Sequence, residues 1–147
     1  MDGSRRRFER FFAAWTAVDS MYDEYAREVG ITYTLLIVLD FLYYSNGDIT
    51  QTNICSASYR PKQTVNSVIN GLQKKGYVEL HELPGDRRNK CVRLTAAGRE
   101  YAERLLSRMW RAETAAVEML DEETAESMIH GIEEYTRNFK KYLRKTD

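Results

Sequence analysis

The segment 83–95, LPGDRRNKCVRLT, crowds Arg87, Arg88, Asn89 and Lys90 beside a Pro-Gly turn, with Asp86 just ahead of them. Arginines on a hairpin tip can enter a DNA minor groove, whose negative potential draws guanidinium groups. A carboxylate two residues before Arg88 can hold that guanidinium in one orientation through a bidentate pair. A second set lies in RPKQTVNSVINGLQKKGYV, with Arg60, Lys62, Gln63, Thr64, Asn66, Ser67, Asn70 and Lys74 and no carboxylate among them. Amides can pair with adenine edges and hydroxyls with several edges, so this is the chemistry of base reading in a major groove. Catalytic chemistry has no comparable set. His81 and His130 stand alone, one a solvent-side strand residue and the other on a helix surface. There is no glycine-rich phosphate loop and no metal-ligand spacing, so neither an enzyme nor a metal or cofactor is expected.

The elements that must carry these residues follow from periodicity. Over 5–29, Phe8, Phe11, Phe12, Trp15, Val18, Tyr22, Tyr25 and Val29 recur at steps of three and four, predicting a long amphipathic helix that Gly30 ends. A second, nearly all-apolar helix is expected over 32–44, then a loop, SNGD, and a short helix capped by Thr50. Pro61 suits the first position of the next helix, where a missing N–H costs nothing. Val65, Val68, Ile69 and Leu72 form its apolar stripe and Gly76 its left-handed stop. The period then changes to two. YVELHEL, with Val78, Leu80 and Glu82 on one side, and KCVRL, with Val92 and Leu94 opposite Cys91 and Arg93, predict a two-stranded hairpin around PGDRRN. Thr95 starts a further helix with a stripe of Tyr101, Leu105, Met109, Ala112 and Ala116. Asp121 caps a last one bearing Met128, Ile129, Ile132, Tyr135, Phe139, Tyr142 and Leu143. The expected fold is mainly α with a small β-hairpin wing, a winged helix-turn-helix within one domain of 147 residues.

The charge distribution agrees with this assignment. The 22 cations and 22 anions cancel overall, yet 60–93 holds eight cations against three anions, a net +5, and the remainder is −5, much of it between 113 and 134. One part is thus fit to meet a polyanion that the rest would repel. Cys55 and Cys91 show no metal or CxxC spacing and read as free thiols. No apolar run is long enough for a membrane span and the basic start lacks a signal-peptide core, so a cytoplasmic location is expected.

PKQTVNSVINGLQKKGYV followed by GDRRNKCVRLTAAG resembles the MarR-type bacterial transcription regulators over nearly the whole chain. In order, these stretches are similar to that family's recognition helix, first wing strand, D-x-R wing tip and V-x-L-T-x-x-G exit. Pro61 stands where the family more often has a serine cap. The resemblance implies that Lys62, Gln63, Thr64, Asn66 and Ser67 face the major groove and that Asp86 and Arg88 are the D-x-R pair, Arg88 entering the minor groove. Arg60, Asn70, Lys74, Arg87, Asn89 and Lys90 complete the expected contacts with double-stranded DNA. It also implies a winged lobe over about 32–100 and a homodimer formed by interleaved terminal helices over 1–31 and 101–147. The dimer would be a repressor answering to a small, often aromatic, effector, for which Trp15, Tyr22, Tyr33 and Tyr43 are candidate lining residues. Two alternatives share the fold: a protein-interaction module, which has no need of the basic wing tip, and a cysteine-based redox sensor. Redox-sensing relatives place their cysteine in the first helix, where this chain has none.

Overall fold

The structure, a computed structural model, describes residues 3–45, 49–83 and 86–144, and the side chains of 83–89 lie outside the described set. In chain order the elements are α1 (Gly3–Glu28), α2 (Tyr33–Tyr44), β1 (Ile49–Thr50), α3 (Gln51–Ser58), α4 (Lys62–Lys74), β2 (Val78–Leu83), β3 (Asp86–Leu94), α5 (Ala96–Glu118) and α6 (Glu122–Leu143). The chain divides into two compact units, Met1–Ser107 and Arg108–Asp147, with the boundary inside α5.

Local chemistry sets most of the element ends in the first unit. Gly30 and Gly76 take positive φ of 75° and 73° after α1 and α4, a conformation that costs glycine nothing. Thr32 caps α2 by accepting from the Leu35 amide. At α3, Thr50 Oγ1 accepts from the Asn53 amide at 3.1 Å while Asn53 Oδ1 accepts from the Thr50 amide at 3.2 Å, a reciprocal capping box. The core takes Ala26 from α1, Leu36, Val38, Leu39 and Leu42 from α2, and Ile54 from α3. Val65, Ile69 and Leu72 join it from α4, Val78 from β2, Cys91 and Val92 from β3, and Ala102 and Leu106 from α5. The Tyr25 hydroxyl of α1 donates to the Leu105 carbonyl of α5 at 2.6 Å.

Four expectations change. The hairpin is part of a three-stranded antiparallel sheet in the order β1-β3-β2, with Ile49 opposite Val92 and Thr50 opposite Cys91. Asp86–Asn89 are not loop: β3 begins at Asp86, opposite Leu83, after a register shift between Glu82 and Leu83. Pro61 occupies the cap position and α4 begins at Lys62, so the proline sits one residue outside the helix. Finally, Cys91 and Val92 are both buried, so β3 is covered on both faces there, as suits the central strand.

In the second unit, the end of α5 and α6 are joined by a short turn. Asp121 caps α6, its Oδ1 accepting from the Thr124 amide at 2.8 Å. That contact pulls the Asp121 carboxyl below its ordinary range, because a bonded carboxylate is favoured over the acid. α6 buries none of its residues: Ile129, Ile132, Phe139 and Tyr142 remain 38–64% exposed, and of the α5 stripe Ala112 and Ala116 are exposed as well. In the first unit the N-terminal half of α1 is similar, with Phe12, Trp15 and Val18 more than half exposed.

Candidate nucleic-acid interface

α4 divides sharply into two faces. Val65, Ile69 and Leu72 are in the core, whereas Lys62, Gln63, Thr64, Ser67, Asn70 and Lys74 are exposed. Steps of one, three and four residues keep Lys62, Gln63, Asn66, Ser67, Asn70 and Lys74 on one side, with Thr64 at its margin. Asn66 is half-buried, and its Oδ1 is shielded from solvent without a hydrogen bond. Pro61 supplies no side-chain acceptor; the Thr64 amide donates to Pro61 O at 3.0 Å, and the Lys62 and Gln63 amides are left for solvent or an anion.

Behind this face the helix is fixed at its far end. The Gly76 amide donates to Gln73 O at 2.9 Å and the Tyr77 amide to Leu72 O at 2.9 Å. Thr95 closes the junction from α5: its Oγ1 donates to Gly76 O at 2.7 Å and accepts from the Gly98 amide at 3.0 Å, and its own amide donates to Tyr77 O at 3.0 Å. Tyr77 and Tyr101 stack with centroids 4.3 Å apart. That stack helps bury the Tyr101 phenol, and burial pushes its pKa up.

The wing supplies exposed Lys90 on β3, paired across to Glu82 of β2. The side chains of Asp86, Arg87, Arg88 and Asn89 lie outside the described residues; their backbone continues β3 beyond the body of the sheet. Arg60 is half-buried in the turn before α4, its guanidinium 4.9 Å from the Tyr33 ring centroid. Sequence periodicity had no means of finding that contact, which joins residues 27 positions apart.

The four aromatic candidates do not form one group. Tyr22 and Tyr33 stack with centroids 6.4 Å apart. Tyr43 lies at the other end of α2, about 15 Å along the axis from Tyr33. There its hydroxyl donates to Glu103 at 2.7 Å, the main reason its pKa is raised, and Arg99 stacks 4.8 Å from its ring. Trp15 is exposed beside Phe11. Cys55 is half-buried and Cys91 buried, both as free thiols. Among the described residues no group of three His, Cys, Asp or Glu could hold a metal ion, and no helix is long and apolar enough to cross a membrane.

A helix pair joined by a tight turn, a polar-faced second helix and an antiparallel wing define a winged helix-turn-helix protein. Residues 29–89, which follow α1 and run through α4 into the wing, match the model of the MarR family. Three solved structures share the fold over almost the entire chain. A MarR family regulator from Neisseria meningitidis, NMB1585, is 20% identical with a TM-score of 0.83, over 96% of this chain and 99% of its own. MepR of Staphylococcus aureus in its DNA-binding conformation is 24% identical with a TM-score of 0.75, over 90% and 98%. The S. aureus MepR–DNA complex is 23% identical with a TM-score of 0.67, over 89% and 96%. No curated protein matches the chain in sequence.

Proposed function

We propose that the protein is a cytoplasmic, homodimeric transcriptional regulator, a ligand-responsive repressor that lays α4 in the major groove of a palindromic operator and its wing in the adjacent minor groove. The observation that carries this function is the exposed face of α4: lysines, amides and hydroxyls without a carboxylate, on a helix whose other face is locked into the core. MepR, which shares the fold, has been solved with DNA, and the basic stretch 60–93 supplies the charge that phosphates require. The exposed apolar residues of α1 and α6 suit a second copy of the chain, and a two-fold dimer would set two recognition helices about one DNA turn apart. An aromatic effector would find stacking partners in Tyr22 and Tyr33, or in Trp15 or Tyr43. An interaction module without DNA accounts for the fold but leaves the carboxylate-free face unexplained.

The test is fluorescence anisotropy with the intergenic DNA upstream of its own coding sequence and a scrambled control, over a salt series. The parent should bind selectively and lose affinity steeply with salt. Arg88→Ala should cost on the order of 1–3 kcal/mol. Binding no better than to the scrambled DNA at every salt concentration would reject the function. Equal affinity of parent and Arg88→Ala would reject only the minor-groove contact.

A further inference from the structure

Three segments distant in the sequence meet at the ring of Tyr33. The ring belongs to the first residue of α2, and its hydroxyl donates to Asp19 Oδ1 of α1 at 2.8 Å. Tyr22, also on α1, lies parallel to it at 6.4 Å with an interplanar angle of 1°. Arg60, one residue before the Pro61 cap of α4, places its guanidinium over the same ring at 4.9 Å. Burial and the bond to Asp19 push the Tyr33 phenol up to about 12, so it remains a proton donor through the working pH range.

A guanidinium lying on an aromatic face uses its π face and keeps its in-plane N–H donors. The contact therefore narrows the conformations of a long side chain; one N–H also meets the Tyr33 hydroxyl, and the remaining donors stay available to an anion. The start of α4 already presents uncapped amides and exposed Lys62, so an oxyanion approaching there meets an arginine held in place beforehand.

We propose that Tyr33 is a positioning residue for DNA binding: its ring, fixed from α1 by Asp19 and Tyr22, holds the Arg60 guanidinium for a phosphate of the DNA backbone beside the start of α4. This rests on the DNA-binding function proposed above and adds that part of the phosphate grip is set from α1. Tyr33 itself touches no DNA.

The experiment measures binding of the full chain to its upstream DNA over a salt series, with thermal melts to verify that each variant is folded. Arg60→Ala should bind roughly tenfold more weakly, with a salt slope about one unit smaller. Tyr33→Leu should move affinity and slope in the same direction by a lesser amount. Tyr33→Phe, which keeps the ring, should restore most of the loss. The double variant Tyr33→Leu/Arg60→Ala should be no weaker than Arg60→Ala alone, because both act through one contact. Arg60→Lys tests the same point without touching the fold: it keeps the charge but loses the planar stack, and should fall between parent and Arg60→Ala. Parental affinity for Tyr33→Leu or for Arg60→Lys would overturn the positioning role, as would tighter binding by Tyr33→Leu or additive losses in the double variant. Absence of DNA binding by the parent itself would instead remove the function on which the proposal stands.

Discussion

At its C-terminal end α4 is closed by Gly76, Tyr77, Thr95 and Gly98, whereas at its N-terminal end no side chain caps it. The starts of α2, α3 and α6 are each capped by a hydroxyl or carboxylate, from Thr32, Thr50 and Asp121. α4 departs from them at the end expected to meet DNA. Helix amides left without an intrachain acceptor cost stability unless water or an anion takes them. The closed end shows what offsets that cost: the helix is held by its tail, through a junction shared with α5, while its first turn stays chemically available. The difference teaches that rigidity and availability are assigned to opposite ends of one 13-residue helix.

The largest effect should come from breaking the closed end. A Cβ on Gly98 would lie 1.8 Å from Tyr77 O and 2.7 Å from its carbonyl carbon, so backbone would have to move. Gly98→Ala is expected to cost on the order of 3 kcal/mol, at the upper end of overpacking penalties, read by chemical denaturation. A variant as stable as the parent would mean that the junction is loose and that α4 is positioned by its core stripe alone.

How much of this comparison is legible in the sequence depends on the range of the interaction. The caps of Thr50, Thr95 and Asp121 and the stops at Gly30 and Gly76 are local, each set within a few residues, and all could be read directly. The T-x-x-G spacing of Thr95 and Gly98 could be read too, but not its reason, which is the approach of the Tyr77 backbone. β1 escaped because two residues carry no periodicity, and Asp86–Asn89 because a run of polar residues gives no alternation to mark a strand. Pro61 differs by one position, the usual uncertainty of a helix boundary. The Asp19–Tyr33–Arg60 contacts and the dispersal of the four aromatic candidates depend on tertiary packing, which no pattern in a single chain records.

A smaller effect tests the capped starts. Thr50→Ala removes both the acceptor for the Asn53 amide and the 2.6 Å hydroxyl contact to Asn53 Oδ1, leaving α3 with a start like that of α4. The cost should be about 1 kcal/mol by thermal or urea unfolding. A loss well below that would show that an uncapped start is tolerated here without compensation, and the contrast between α3 and α4 would lose its meaning.

The smallest effect is one of pH, at the start of α6. Because the folded pKa of Asp121 is depressed, its contribution is fully present above the unfolded value near 4 and disappears as pH falls through the lower, folded value. Asp121→Asn keeps an acceptor for the Thr124 amide but does not titrate. The parent should therefore lose thermal stability more steeply than the variant below about pH 4, when melts followed by circular dichroism are compared. Parallel pH profiles would show that the carboxylate caps α6 no better than a neutral oxygen does. The same chemistry explains why such a cap would be ill-suited to α4. A carboxylate at position 61 would satisfy the first amides of that helix, but it would set a negative charge where a phosphate is expected to bind. Proline leaves the amides open and adds no charge.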